Sequence, residues 1–303
     1  PDNVPYKPKR SLKISLDGMK EGDFTMVFGF PGRTTEYLSA AAVKQVMTVS
    51  DPAKIEIRAK VLQVLKGFMR SDEHIKIQYA AKYASIENYY KKWQGEVLGL
   101  TSSKAVEKKL AFESGFEQRI NANPVWKSSY GNLLPDLTKA YEEIEPYSHA
   151  RDYFNEIVPR IELLGIAADM NSLVTAFNKD EATYLKKKDD VIKKLTETFK
   201  EFNATVDRKV FEPLMELYIT KQDPVYVSPA VKQLLSDNAQ SYIRAADYIY
   251  SNTAFLSLEK IITLLEGPAT EVITRIKDDV AGKLYSDMVK TYTSNVSPKL
   301  NET

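Results

Sequence analysis

A mainly α fold, a multi-helix bundle-like domain behind a short N-terminal β-hairpin, is what this sequence predicts. Three observations carry that reading. Apolar residues alternate before Pro31 and recur at threes and fours after Tyr37, which are the strand and helix periods. Pro31 and Gly32 mark the change, because proline cannot donate to a ladder and glycine frees the backbone. Beyond them, Ser, Thr, Asp or Asn repeatedly stands ahead of an apolar stripe, several times with proline next, the signature of helix starts.

Residues 1–10 hold three prolines and are expected to be an extended connection. Ser11–Leu16 alternates as a strand does, and Asp17-Gly18 reads as a turn. In the second strand Phe24, Met26 and Phe28 point one way, Thr25 and Val27 the other. Two strands alone are marginal in water, and no later segment supplies sheet partners. The hairpin therefore reads as a remnant of a larger sheet, and the chain as a fragment. Residues 1–34 form this remnant and a hinge, and residues 35–303 a helical domain.

Thr34 or Thr35 is expected to cap a helix to about Thr48, and Asp51-Pro52 to open another to about Arg70. Ser71, Asp72 and Glu73 start a long helix to about Leu98, striped by Ile75, Tyr79, Ile86, Tyr90, Trp93 and Val97. Thr101 or Ser102 opens the next, to about Asn121. Asn123-Pro124, Leu134-Pro135 and Pro146 point to shorter helices, followed by one over 163–177. A single helix is expected over 181–220, roughly 60 Å long at 1.5 Å per residue, with Pro213 kinking or ending it. Asp223-Pro224 is a break. Three or four helices then finish the chain, divided near Asn252 and at Gly267-Pro268.

Hydrophobic residues make up 43% of 303, which places the chain among globular proteins. Lys and Arg number 42 against 41 Asp and Glu, so no nucleic acid or anionic membrane is expected as partner. No apolar run approaches the roughly 20 residues a membrane helix needs. The first residues, Pro-Asp-Asn-Val, are no signal peptide and lack Met, as expected of a processed chain or a fragment. The absence of cysteine excludes disulfides, zinc–thiolate sites and thiol nucleophiles.

Catalytic patterns are missing. His74 and His149 are the only histidines, and neither has a second histidine at metal spacing. There is no Gly-x-Ser-x-Gly elbow. Gly29-Phe-Pro-Gly32 has no Gly-Lys-Ser/Thr after it and is no phosphate loop. No spacing marks a carboxylate pair for acid–base work. No metal and no cofactor are expected. From the residues alone, a stand-alone, non-catalytic helical interaction module remains open.

The run Gly22-Asp-Phe-Thr-Met-Val-Phe-Gly-Phe-Pro-Gly-Arg-Thr34, preceded by Asp2-Asn-Val-Pro-Tyr-Lys-Pro8, resembles the bacterial dipeptidyl-peptidases of the seven and eleven type. Tyr83-Ala-Ser-Ile-Glu-Asn-Tyr-Tyr-Lys91 is similar to them as well, and the likeness runs the whole chain. These are serine exopeptidases, a chymotrypsin-like double barrel with an inserted helical domain. The resemblance implies a hairpin left over from the catalytic barrel, a triad outside this chain, and a helical domain that covers the cleft. It implies peptide substrates with a free N-terminus, a homodimeric full-length enzyme, and a periplasmic or cell-surface location. The fragment itself would be inactive.

An asparagine of the helical domain shares in holding the substrate's ammonium in that family, and the Tyr83–Lys91 match carries this role to Asn88. The residue lies about 200° around the helix from Ile86 at 100° per residue, off the apolar stripe and on a face with Ala81, Ala84 and Ser85. Gly29, Phe30, Pro31, Gly32 and Arg33 would form a stiff hinge near the cleft. Tyr89, Tyr90 and Trp93 could line a peptide cleft, although helical spacing more often means core.

Overall fold

The computed structural model describes residues 4–26, 29 and 35–302. It divides into two units, Pro1–Tyr37 and Leu38–Thr303.

In the first unit no strand forms among the described residues, which corrects the expected β-hairpin. The turn chemistry is present. Gly18 and Gly22 take φ of +74° and +92°, and Asp23 accepts from the Lys20 amide at 2.8 Å. Within this unit no described residue covers the segment. Leu12, Ile14 and Leu16 are 97%, 88% and 94% exposed. An alternating segment gains nothing from its pattern until a sheet or core takes one of its faces.

The second unit is helical. Helix α1 (Ala40–Gln45) begins five residues later than expected, capped by the Ser39 hydroxyl and by Glu113, whose carboxylate accepts from the Ala40 amide at 2.7 Å. A π-helical turn, Val46–Ser50, then runs without interruption into α2 (Asp51–Ser71). Asp51 is thus a helical residue, not the expected cap. Asp72 is extended, and its carboxylate accepts from the amides of His74 and Ile75. That cap turns the chain into α3 (Glu73–Ser102), which packs back along α2 as a hairpin.

Lys104, left-handed at φ +50°, separates α3 from α4 (Ala105–Asn121). Asn123 caps α5 (Pro124–Tyr130), and α6 (Leu133–Ile157) follows. Pro146 lies inside α6, so this region is not the run of short helices its prolines suggested. A 3₁₀ turn at Val158–Arg160 leads to α7 (Glu162–Phe177).

Leu163, Leu164, Ile166, Ala167, Met170 and Leu173 are each no more than 1% exposed. A helix apolar on most of its circumference belongs inside a fold, and α7 packs against α8 (Glu181–Glu201), α13 (Ala269–Asp278) and α14 (Val280–Asn295). The single helix expected over 181–220 is two. Phe202 and Asn203 are extended, and the Asn203 side chain accepts from the amides of Thr205 and Val206 to cap α9 (Ala204–Thr220). Pro213 sits inside α9 and neither ends it nor opens it. Its ring costs about 3 kcal/mol in an isolated helix, but Val210, Phe211, Leu214, Met215 and Tyr218 beside it are nearly fully buried.

Six helices complete the chain where three or four were expected. They are α10 (Pro229–Asp237), α11 (Tyr242–Asn252), α12 (Leu258–Leu265), then α13, α14 and α15 (Ser297–Glu302). Among the described residues no helix is long and apolar enough to cross a membrane.

Candidate functional site

The α2–α3 hairpin places Asn88 in the middle of α3. Its apolar stripe packs inward, with Tyr79, Ile86 and Trp93 at 1%, 8% and 8% exposure. Asn88 is exposed on the other side, as are Ala81, Ala84 and Ser85. Its amide makes no hydrogen bond to another described residue, so both its carbonyl oxygen and its NH₂ face outward uncommitted. The neighbouring Glu87 is engaged by Lys91 at 3.1 Å.

Arg58 of α2 fixes this turn from behind. Its guanidinium is 5% exposed and donates to the Ile86 carbonyl at 3.2 Å, two residues before Asn88. It also forms a two-point pair with Glu156 of α6, at 2.8 and 3.2 Å. The same group lies 4.5 Å from the Trp93 ring centroid and 5.3 Å from that of Tyr89. A planar fork suits a carboxylate and an aromatic face together. Trp93 is thus core. Tyr89, 52% exposed, keeps an outward edge beside Asn88.

A cavity of about 430 Å³ opens along the same side of α3, where Ala81 and Ser85 line it. Val61, Leu65, Ile86 and Val210 supply apolar walls, and Tyr79, Lys82, Arg160 and Glu162 polar ones. Lys82 pairs with Glu162 at 2.7 Å and also donates to the Glu201 carbonyl. Burial, then the Glu162 charge, holds the Tyr79 hydroxyl above its usual range. Behind Glu162 the buried Asp207 accepts from the amides of Glu162 and Leu163 and from the Tyr250 hydroxyl, at 2.7, 2.8 and 2.6 Å. It thereby caps α7. Burial and the Glu162 charge raise its carboxyl above the ordinary range.

His74 sits in the first turn of α3, where its amide meets the Asp72 cap. His149 lies in a second cavity, with Glu56, Glu145, Tyr153, Lys221 and Asp223. Its ring is 4.7 Å from that of Tyr153, and burial lowers its pKa against the pull of Asp152, Glu145 and Glu56. Among the described residues neither histidine ring meets a serine hydroxyl, and no group of histidines and carboxylates could hold a metal ion. Of the expected hinge, Gly29 is described, whereas Phe30, Pro31, Gly32 and Arg33 lie outside the described residues.

Sequence reasoning missed Arg58, Glu156 and Arg160. A lone arginine in an amphipathic helix reads as a surface residue, and nothing along the chain pairs position 58 with a carboxylate 98 residues later.

The profile of the Peptidase S46 family matches residues 1–302. The chain is 43% identical over 303 residues to the Asp/Glu-specific dipeptidyl-peptidase of Flavobacterium psychrophilum, covering 99% of this chain and 42% of that protein. It is 25% identical to dipeptidyl-peptidase 7 of Capnocytophaga gingivalis, with 100% and 42% covered. The chain therefore spans about 42% of the length of these relatives. The crystal structure of Porphyromonas endodontalis DPP11 in complex with the dipeptide Arg-Glu superimposes with a TM-score of 0.73 at 23% identity, over 98% of this chain and 42% of that one. The two share a fold.

Proposed function

Since the chain belongs to the Peptidase S46 family, we propose that it is the helical part of a serine-type dipeptidyl-peptidase that releases dipeptides from free peptide N-termini. The helical domain covers the catalytic cleft. Asn88 accepts a hydrogen bond from the substrate's ammonium, and the Ser-His-Asp triad is supplied by sequence outside these 303 residues. The observation that carries the Asn88 assignment is its outward, uncommitted amide on a turn held from behind by Arg58. An ammonium has three donors and no acceptor. A neutral oxygen on a fixed turn meets that need without adding a charge.

The relatives of higher identity carry the Asp/Glu-specific name. On that ground we propose an acidic residue at the second substrate position rather than an apolar one. The site takes no metal or cofactor in this reading, and the full-length enzyme is a homodimer of the periplasm or cell surface.

The test compares two proteins on one set of peptides. The full-length enzyme is expected to release dipeptides from peptides with a free N-terminus and Asp or Glu second, and to spare their N-acetylated forms. The 303-residue chain is expected to release none, because acyl transfer needs a positioned nucleophile and base. Cleavage of the acetylated peptides at an equal rate, or dipeptide release by the chain alone, overturns the reading.

A further inference from the structure

Asp51 is 2% exposed, and its Oδ2 has no hydrogen-bond partner among the described residues. An ionised carboxylate so placed gives up its water for nothing. The usual donors are committed elsewhere. The π-helical turn runs into α2 without interruption, so Asp51 meets none of the free amides of a helix start. Lys54 stands 3.8 Å away, beyond hydrogen-bond distance, and lies 5.2 Å from the Trp93 ring centroid. Lys92 is held by Glu96.

The register of the α2–α3 hairpin supplies the missing partner. Arg58 lies over the Tyr89 ring. Lys54, one turn earlier on α2, lies over the Trp93 ring, one turn later on α3. Asp51, a further turn back, falls opposite Glu96, a further turn on, and the two side chains are within hydrogen-bonding reach. Two ionised carboxylates only accept, and they repel; a proton makes one of them a donor. Asp51 is the more buried of the two. Burial first, then the Glu96 charge, pushes it up to about 6 against Lys54 and Lys92. The other charged and titratable groups packed on α2 face elsewhere. From α6, Tyr153 meets Glu56 and Glu156 meets Arg58; beyond α9, Lys221 meets Glu56; within α9, Lys209 meets Glu212.

We propose that Asp51 and Glu96 share a proton and form a latch that holds the last two turns of α3 on the start of α2. The Asp51 hydroxyl donates to the Glu96 carboxylate. As pH rises through the titration of Asp51, the proton leaves to solvent and the two anions repel. The end of α3 is then released, together with the left-handed turn at Lys104 that leads into α4.

Hydrogen exchange of the 303-residue chain at about pH 5 and about pH 7.5, read by mass spectrometry and corrected for the intrinsic pH dependence of amide exchange, tests the latch. Exchange over residues 96–102 is expected to quicken about three- to tenfold between the two, as the loss of one hydrogen bond from a local opening equilibrium implies. The buried stretch Tyr79–Ile86 should not change. Glu96→Ala removes the acceptor at a side chain that is 30% exposed, and exchange should then be fast at both pH values. Glu96→Gln offers an amide donor to the ionised Asp51 and should keep exchange slow at both. Asp51→Asn, a permanent donor to Glu96, should do the same, and the two Glu96 variants decide the matter if it does not fold. Equal exchange over 96–102 at both pH values in the parent overturns the proposal. So does a Glu96→Ala chain that keeps the parent's protection at the lower pH, or a Glu96→Gln chain that quickens as the parent does.

Discussion

The Arg58 guanidinium lies 4.5 Å from the Trp93 ring centroid, across the α2–α3 hairpin and beneath the turn that carries Asn88. It is also bound to Glu156 of α6, so one side chain ties three helices together. Breaking a buried pair leaves a charge uncompensated, which typically costs 3–5 kcal/mol, whereas replacing both partners by apolar groups is often neutral. Arg58→Met is therefore expected to lower stability by about 3 kcal/mol or more. Adding Glu156→Leu should recover only part of that, because Arg160, 3.6 Å from Glu156, then loses its partner. Urea unfolding of both single variants and the double variant measures the cycle. Additive losses would mean that the pair is not coupled as the geometry indicates.

Asp51 is expected to make stability depend on pH. The Asp51 carboxylate is 2% exposed and is pushed up to about 6 by burial first and then by the Glu96 charge, with Lys54 and Lys92 opposing. Its folded value lies above the unfolded one, near 3.9. Its contribution is then fully present below about pH 4 and lost as pH rises through about 6. Asn resembles the protonated form. Asp51→Asn is expected to flatten the fall in melting temperature between about pH 4 and pH 7. At pH 8 it should be the more stable protein by an amount on the order of 1 kcal/mol once solvent screening is allowed for. Parallel melting curves across that range would remove Asp51 as the titrating group.

Close approach of backbone makes Gly282 irreplaceable. It lies in the first turn of α14, where its amide meets the Asp279 cap at 3.2 Å. An added Cβ would collide with the Ile276 carbonyl oxygen and touch the Phe255 ring at 3.5 Å. The first obstacle is backbone and cannot swing aside. Gly282→Ala should cost about 1–3 kcal/mol, the usual range for overpacking, despite alanine's better helix propensity. Differential scanning calorimetry showing an unchanged or raised melting temperature would contradict this.

Some helix starts were legible in the sequence where a stripe followed a capping residue, though the expected caps at Thr35 and Asp51 are not caps. Asp72 ahead of Ile75 and Tyr79 announces α3, and Asn123-Pro124 announces α5. Breaks were harder. Proline misleads as a break signal, since Pro146 and Pro213 sit inside helices held by tertiary contacts. A plain cap is the stronger signal: Asn203 divides α8 from α9 in the middle of a continuous apolar pattern. The N-terminal alternation promised strands, yet a strand is stable only against a partner, which local pattern cannot supply. At the site, the stripe placed Asn88 outward. It could not reveal Arg58, Glu156 and Arg160, because 98 residues separate the ends of the pair that fixes the turn.

Substitution of Asn88 in the full-length enzyme is expected to act through the substrate's N-terminus. If its oxygen receives a substrate N–H⁺, the bond is charge-assisted and worth roughly 1.5–3 kcal/mol. Asn88→Ala should then lower kcat/KM by about ten- to a hundredfold for peptides with a free N-terminus. Folding should hardly change, because the side chain is exposed and bonds to no described residue. The loss should depend on the ammonium. An N-acetylated peptide, already poor, offers no charged donor and should lose little more. Asn88→Asp keeps an acceptor and adds an anion opposite a cation, so it should recover part of the loss. Arg58→Lys leaves Asn88 in place but gives up the fork and the ring stacking that hold its turn, and should show a smaller loss of the same N-terminus-dependent kind. Steady-state kinetics on paired free and acetylated peptides separate these cases. A kcat/KM for Asn88→Ala within about twofold of the parent on the free peptide would return Asn88 to an ordinary surface residue, whatever Arg58→Lys does.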